Sequence, residues 1–181
     1  MAFLRSLRKG ASLLDLFKAY PQTSEPLIQF HEVLMRGPSP FTEGERELIA
    51  AYVSGLNHCG YCHGVHAATA DLLGAPKSAI SSALDDIDSS PIAEKMKPVL
   101  RYARKLTEKP NSLAQTDAYA VYAAGWNEAA LYQTAVVTAL FNFMNRLVEG
   151  AGIELDASYV KPASERLAKT GYLPLIEMMR R

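Results

Sequence analysis

Apolar residues recur at helical spacing along most of this chain. After the capping sequence Thr42-Glu43-Gly44-Glu45, apolar side chains follow one another three and four positions apart up to Leu56, which places them on one face of a helix. We therefore predict a helix from about Glu43 to Asn57. No stretch alternates apolar and polar residues over the length of a strand, and the glycines fall mainly at predicted helix ends. The pattern predicts an all-α fold, a compact helical bundle.

The same spacing, together with proline and glycine signals, predicts the other helices. A helix from Cys59 to Leu73, closed by Gly74, follows directly on the first one. The remaining predictions are Leu13 to Tyr20, Glu25 to Arg36 with Ser24 as N-cap, Pro76 to Asp85, a helix opened by Ser90-Pro91 in which Pro98 is tolerated or marks the true start, Thr116 to Ala124, and a partly helical tail from Ser158 to Arg181.

The longest apolar segment lies in the second half of the chain. It predicts a helix from Glu128 to about Val148, capped by Asn127 and closed by Gly150. This helix is hydrophobic nearly all round, and a chain of 181 residues has little interior in which to bury it completely. We therefore expect it to lie at the centre of the core or at a subunit interface, and we expect a homo-oligomer.

The composition limits the classes of function. Lys and Arg together number 19, as do Asp and Glu, so the formal net charge is zero and nothing suggests a nucleic-acid partner. No apolar run reaches the roughly 18 to 20 residues of a membrane span. The length fits one domain, residues 1–181. We expect a soluble, cytoplasmic protein that acts on small molecules, with neither a nucleic acid nor a membrane as partner.

Both cysteines and three of the four histidines lie within nine residues. Cys59-Gly60-Tyr61-Cys62 is followed by His63 and His66, and His58 precedes it. Since each helical residue turns roughly 100°, Cys59, Cys62, His63 and His66 would share one face, and His66 could hydrogen-bond either sulfur. This arrangement predicts thiol chemistry. The alternative is a pair of buried, inert cysteines, because free cysteine packs well in a core.

Two influences favour a thiolate, and they select different cysteines. The start of the helix favours negative charge at Cys59, whereas His66 lies one turn after Cys62. The two sulfurs can close a disulfide with modest adjustment. We predict that Cys62 attacks the substrate and that Cys59, which we expect at an exposed helix start, resolves the intermediate and receives an external reductant.

Glu47 is the candidate partner of the imidazole. It lies twelve residues before Cys59, and two antiparallel helices joined near Asn57 would bring it toward His66, where it could orient the ring and hold a proton. The alternative is a carboxylate on the solvated face of its helix. For His58, His63 and His31 we expect local or structural roles.

Zinc is the other chemistry that a Cys-x-x-Cys sequence suggests. A structural zinc site normally has four ligands, whereas this chain has no second cysteine pair, and Cys59, Cys62 and His66 would give only an open three-ligand site. We expect neither a metal nor an organic cofactor.

The spacing Glu47-x11-Cys59-x-x-Cys62-x-x-x-His66, on successive helices, resembles the active-site pattern of the alkyl hydroperoxidase D group in the carboxymuconolactone decarboxylase-like superfamily. The later segments Asn142-x-x-Asn145-Arg146 and Val148-Glu149-Gly150-Ala151-Gly152 resemble the long helix of its peroxidase-related branch. The resemblance covers residues 25 to 155, which we take as the core. It leaves both ends as peripheral segments that could lie at subunit interfaces.

The resemblance implies a trimer or hexamer that reduces hydroperoxides, with a dithiol or lipoyl-type reductant as electron donor. It implies that Glu47, Cys59, Cys62 and His66 form the catalytic relay. One position departs from the pattern, since Tyr61 stands where the well-described peroxidase has a histidine. This departure concerns the efficiency of the reaction and the identity of the reductant more than the thiol chemistry itself.

Three hypotheses about function follow. The first is a thiol-dependent peroxidase or related disulfide oxidoreductase with an antioxidant role. The second is a non-enzymatic redox-responsive protein, whose cysteine pair is oxidised once rather than cycled. The third is carboxymuconolactone decarboxylase-type chemistry, against which the cysteine pair argues because decarboxylases of the superfamily generally lack it.

Overall fold

The computed structural model describes residues 2–75 and 77–181. These residues form a bundle of α-helices without a strand, which confirms the predicted all-α fold. Short 3₁₀ turns cover Glu94–Met96 and Pro110–Ser112. The α-helices are α1 (Leu13–Ala19), α2 (Pro21–Arg36), α3 (Glu43–Leu56), α4 (Gly60–Leu72), α5 (Lys77–Asp85), α6 (Lys97–Glu108), α7 (Gln115–Ala123), α8 (Glu128–Ala151), α9 (Ala157–Thr170) and α10 (Pro174–Arg180).

Local capping explains where the two central helices begin. The Thr42 hydroxyl accepts the N–H of Glu45, and the Glu45 carboxylate accepts the N–H of Thr42, so the predicted capping box starts α3. Asn127 caps α8 through the N–H of Ala130. These contacts satisfy amide groups that have no partner within their own helix.

Three predicted boundaries are wrong. Helix α2 begins at Pro21 rather than Glu25, because a proline at the first position is already suited to a helix start, and Ser24 lies buried inside the helix. Ser90-Pro91 opens no helix; α6 begins at Lys97 with Pro98 in its first turn, which confirms the alternative that Pro98 marks the true start. Helix α8 runs past Gly150 and ends at Gly152, whose φ of 67° forms the left-handed cap. The predicted start at Pro76 lies outside the described residues.

The long helix α3 lies at the centre of the bundle. It packs against α2, α4, α5, α6 and α8, and every residue from Gly44 to Ser54 other than Glu45 is buried. Its antiparallel contact with α4 is the most extensive in the protein, because only Asn57, His58 and Cys59 separate the two helices. This pairing holds Glu47 on α3 against the middle of α4.

The terminal segments contribute to the interior, whereas the sequence suggested peripheral positions. Helix α9 packs on α4, and α10 packs on α1 and α2. Phe17 near one end of the chain and Leu167 and Met179 near the other are buried. The far end of the chain therefore lies within reach of the cysteine helix.

No helix among residues 2–75 and 77–181 combines the length and the apolar character required to cross a membrane.

Candidate active site

Glu47 and His66 form a hydrogen-bonded pair between α3 and α4, as the spacing predicts. The Nδ1 atom of His66 lies 2.6 Å from Oε2 of Glu47, whose side chain is completely buried. The alternative of a solvated carboxylate at position 47 is therefore excluded.

Two residues that the sequence did not single out complete the surroundings of Glu47. Arg36, at the end of α2, donates to Oε1 at 2.7 Å, and the hydroxyl of Tyr172 donates to the same oxygen at 2.9 Å. Burial alone would raise the pKa of Glu47, but His66 and Arg36 outweigh it and lower the pKa. The carboxylate thus stays ionised and acts as an acceptor, so it does not hold a proton in the resting site.

This contact determines the tautomer of His66. Because an ionised carboxylate can only accept hydrogen bonds, Nδ1 carries the hydrogen, and Nε2 of the neutral ring keeps a free lone pair. Phe141 fixes the ring from the side, edge-on at a centroid distance of 4.6 Å. No described residue bonds to Nε2, and the ring lines a cavity. His66 is therefore placed to accept a proton from a group in that cavity.

The cavity lies between α1, α2, α4, α8 and the C-terminal helices and has a volume of about 60 Å³. Cys62 and His66 line it together, and most of the remaining wall is apolar. A volume of this size holds a few water molecules or a small organic group. It is less than half of the roughly 150 Å³ of a cavity that binds benzene. The lining residues are Leu13, Phe17, Ile28, His31, Tyr61, Cys62, Val65, His66, Phe141, Met144, Tyr159, Ala163, Arg166, Leu167, Tyr172 and Leu175.

The structure has no disulfide between Cys59 and Cys62, and both residues are buried. Cys59 is the N-cap residue of α4, but its side chain is completely inaccessible, so the expected exposed helix start is wrong. The physical reason is that α8 packs across the turn between α3 and α4, where Asn57 bonds to Asn142 and Asn145. Only Cys62 of the pair contributes to the wall of the cavity.

The two sulfurs have opposite tendencies to ionise. The side chain of Cys62, which hydrogen-bonds to Cys59, lowers the pKa of Cys59 against the effect of burial, and the backbone of Cys62 adds to this. The contact with Cys59 and burial raise the pKa of Cys62 well above the usual value. The charge of a singly ionised pair therefore rests on Cys59, and Cys62 has to lose its proton to a base when it reacts.

A buried amide network from α8 supports the turn before α4. Nδ2 of Asn145 donates to the Ser54 hydroxyl at 3.0 Å, and Oδ1 of Asn145 accepts from Asn57 at 2.9 Å. The carbonyl of Ser54 accepts the N–H of Cys59 at 3.0 Å. The Asn145 side chain also lowers the pKa of Cys62, although less than the Cys59 contact and burial raise it. These contacts give the Asn142-x-x-Asn145 sequence a definite place beside the thiols.

Tyr61, the residue that departs from the resembled pattern, packs against α9. Its ring stacks on Tyr159 at a centroid distance of 5.9 Å, and burial raises the pKa of its hydroxyl. Tyr61 therefore contributes an apolar surface where a histidine would bring a group that titrates near neutral pH.

The other histidines occupy three different settings. His58 is exposed and has a left-handed backbone with φ of 55°, and His63 bonds through Nδ1 to the carbonyl of Ala51 at 2.9 Å. His31 is buried, bonds through Nδ1 to the carbonyl of Leu27 at 2.7 Å, and lines the cavity near His66. His31 therefore belongs to the cavity wall. Within the described part of the chain, no three His, Cys, Asp or Glu side chains are grouped to hold a metal ion.

His31 gives a prediction about stability and pH. Burial lowers its pKa from 6.5 to about 4. Below pH 6.5 the unfolded chain takes up a proton that folded His31 refuses until about pH 4, so stability is highest above pH 6.5 and falls as the pH drops. The loss should approach about 3 kcal/mol near pH 4. In urea titrations at pH 7, 6 and 5, the free energy of unfolding should decrease less with falling pH for His31→Gln than for the parent protein.

The matched control for this measurement is His58→Asn, at an exposed site whose left-handed backbone asparagine tolerates. The free energy of unfolding of this variant should decrease between pH 7 and pH 5 by the same amount as that of the parent protein. An equally steep decrease in His31→Gln would show that His31 does not govern this pH range.

Comparisons with known proteins show which sequences and folds this chain is similar to. Residues 21–108 match the carboxymuconolactone decarboxylase family. An uncharacterized peroxidase-related protein from Silicibacter sp. TM1040 superimposes with a TM-score of 0.75 at 24% identity, covering 81% of this chain and 77% of that protein. An alkylhydroperoxidase AhpD core protein from Ralstonia eutropha JMP134, also described as uncharacterized and peroxidase-related, gives 0.74 at 21% identity, covering 80% and 76%. No curated protein matched the sequence.

The matched segment contains α2 to α6 and therefore Glu47, both cysteines and His66, whereas Tyr172 lies outside it. Residues 21–108 are thus similar to the carboxymuconolactone decarboxylase family, and the chain shares its all-helical fold with the two solved structures.

Proposed function

We propose that the protein is a thiol-dependent peroxidase that reduces hydroperoxides through Cys59 and Cys62. The observation that carries the proposal is the shared cavity of Cys62 and His66, with the imidazole held by buried Glu47 on its far side. A thiol of raised pKa needs a base in order to attack, and Nε2 of His66 is the base that the cavity offers. The peroxidase-related names of the structural neighbours agree with this reaction class.

The first half of the reaction takes place at Cys62. Its S–H gives its proton to Nε2 of His66, and the sulfur attacks the terminal oxygen of the hydroperoxide. The O–O bond breaks, so that a sulfenic acid forms on Cys62 and an alkoxide leaves. The imidazolium returns the proton to the alkoxide, which departs as an alcohol. Two electrons have passed from sulfur to the peroxide.

The second half of the reaction uses Cys59. Its thiolate, favoured by the lowered pKa, attacks the sulfur of the sulfenic acid. A disulfide forms, and the departing hydroxide takes up a proton and leaves as water. A dithiol or lipoyl-type reductant then restores both thiols and is itself oxidised to a disulfide. No step requires a metal or an organic cofactor.

The cavity favours small substrates. A space of about 60 Å³ with a mainly apolar wall suits the reactive end of a short alkyl hydroperoxide better than a bulky one. The direct test follows hydroperoxide consumption with dithiothreitol or dihydrolipoamide, using tert-butyl and cumene hydroperoxide. Repeated turnover supports the proposal. Consumption of a single equivalent per chain would identify a redox-responsive protein instead.

We also propose that the protein is a homo-oligomer, a trimer or a dimer-built hexamer, which associates through the outer face of α8. On this face Tyr132 is 70% exposed and Phe143 is 52% exposed. The partly buried Val136 and Leu147 each follow one of these aromatic residues by four positions, so all four side chains lie on the same face of the helix. Large apolar side chains in a row on a surface are typical of an interface.

The prediction for this face is that light scattering at micromolar concentration shows an oligomer and that Phe143→Glu dissociates it. The introduced charge would have to be buried without a partner, which costs several kcal/mol. Tyr119→Glu, at an exposed tyrosine on α7, is the control and should leave the assembly intact. A stable monomer of the parent protein would refute the proposed association.

A further inference from the structure

The C-terminal segment brings one side chain into the candidate active site. Tyr172 lies in the link between α9 and α10, 125 residues along the chain from Glu47. Its ring is buried, it lines the cavity, and its hydroxyl donates to Oε1 of Glu47 at 2.9 Å. A residue outside the segment that matches the family therefore touches the carboxylate that holds His66.

The link that carries Tyr172 is held closely against α2. Oε2 of Glu32 accepts the backbone N–H of Tyr172 at 2.7 Å. Gly171 has a φ of 68°, and a Cβ atom at this position would lie 2.5 Å from the same carboxylate oxygen. The positive φ favours glycine here, and a side chain at this position would displace the Glu32 carboxylate from its bond to the N–H of Tyr172. These contacts fix the place at which the tyrosine ring enters the site.

Arg36 fixes the ring itself. Its guanidinium carbon lies 5.1 Å from the centroid of the Tyr172 ring, and its Nη2 atom donates both to Glu47 and to the carbonyl of Leu167 at the end of α9. Arg36 and Tyr172 thus approach Oε1 of Glu47 together. The other oxygen, Oε2, remains for Nδ1 of His66.

We infer that Tyr172 is a positioning residue of the active site, which together with Arg36 holds Oε1 of Glu47 so that Oε2 faces His66. This orientation keeps Nε2 of His66 directed toward the cavity that Cys62 lines. The C-terminal segment is then part of the catalytic apparatus rather than a cover over it. The inference rests on the proposed thiol chemistry of Cys62 and His66.

The contacts of the Tyr172 hydroxyl determine the direction in which the pH profile of Cys62 alkylation should move. Burial and the adjacent Glu47 raise the pKa of Tyr172, so its hydroxyl remains a neutral donor. Without that donor, Oε1 of Glu47 keeps only its bond from Arg36, and the carboxylate holds Nδ1 of His66 less firmly. Nε2 then assists the ionisation of Cys62 less well, so Cys62 should need a higher pH to react. The other charged or titratable groups that act on this cluster are Arg36 and His31 on α2, Glu43 and Arg46 on α3, and Glu32 beside Tyr172.

The test is Tyr172→Phe, which removes one oxygen and keeps the ring. In a Cys59→Ser background, the rate of alkylation of Cys62 by iodoacetamide is measured against pH. The midpoint of the profile should move to higher pH by about half a unit or more. In the protein with both cysteines, kcat for hydroperoxide should fall about tenfold, with KM changed less than about twofold.

Two further variants separate positioning from loss of folding. Tyr102→Phe changes a half-buried tyrosine of α6 outside the cavity and should leave the alkylation profile in place. Glu32→Gln loosens the link without touching Glu47 and should shift the profile in the same direction by a smaller amount. A profile for Tyr172→Phe that coincides with the parent, or moves to lower pH, would overturn the inference. A shifted profile without any hydroperoxide turnover would uphold it and refute the proposed peroxidase.

Discussion

Replacing Cys62 with serine is expected to reduce hydroperoxide turnover by at least about a thousandfold, because the variant lacks the attacking sulfur. Cys59→Ser should also stop turnover with a dithiol, but for a different reason. Its Cys62 can still react once with hydroperoxide, and no second thiol is present to close the disulfide. Initial rates and single-turnover amplitudes measured on the two variants distinguish these losses.

Trapping of sulfenic acid identifies the attacking residue. After one equivalent of hydroperoxide, mass spectrometry should find the trapped adduct on Cys62 in Cys59→Ser, whereas Cys62→Ser should remain unmodified. Cys62 is assigned as the attacking residue because it lines the cavity, whereas Cys59 does not. The pKa argues the other way, since the lowered pKa of Cys59 favours its thiolate. An adduct on Cys59 in Cys62→Ser, with the other variant unmodified, would reverse the roles and show that ionisation decides the reaction more than access does.

The largest effect on stability is expected for Glu47→Gln. The side chain of Arg36 is only 8% exposed, and its guanidinium would lose its closest counter-charge. Breaking a buried ion pair from one side typically costs about 3 to 5 kcal/mol, since the remaining charge stays out of water without a partner. Denaturant titration at pH 7 should show a loss of this size, together with loss of hydroperoxide turnover.

Glu43→Gln is the matched control for that substitution. Its carboxylate is also near Arg36, at 3.6 Å from Nε, but the side chain is 42% exposed. The free energy of unfolding should therefore change by less than about 1 kcal/mol. A second check is a cycle with Arg36→Met, in which the double variant with Glu47→Gln should lose less stability than the sum of the single losses. Additive losses would show that the two side chains do not act as a pair.

The contacts that the sequence predicted are those between neighbouring helices. Glu47 and His66 are nineteen residues apart on two helices joined by a tight turn, so antiparallel packing is almost the only way to place them. The helical periodicity and the spacing of the two residues are therefore enough to predict their contact. The prediction of an all-α bundle rests on the same kind of local signal, repeated along the chain.

The contacts that the sequence did not predict join distant segments. Arg36 and Tyr172 reach Glu47 from the end of α2 and from the link before α10, and neither lies in a recognisable motif. Tyr172 depends on the left-handed Gly171 and on Glu32. Nothing in the local pattern around residues 158–181 indicates which face of the bundle this tail covers. Gly171 before Tyr172 indicates a turn, but it does not indicate that the tyrosine reaches Glu47.

The burial of Cys59 was missed for a related reason. An N-cap position is ordinarily near solvent, and the sequence around Cys59 gives no indication of what covers it. Helix α8 closes this site through Asn142 and Asn145, which lie more than eighty residues away. The amide pattern on α8 is visible in the sequence, but only the packed structure shows that Asn57 is its partner.

The proposed reaction of Cys59 and Cys62 is tested most directly by a single oxidation without air. Fully reduced protein receives one equivalent of tert-butyl hydroperoxide, and free thiols, peptide masses and the alcohol formed are measured together. Both thiols should disappear in one step, and Cys59 and Cys62 should be found joined by a disulfide. One alcohol should form per chain, and a dithiol should restore the starting protein. Unreacted hydroperoxide beside two intact thiols would contradict the proposed reaction.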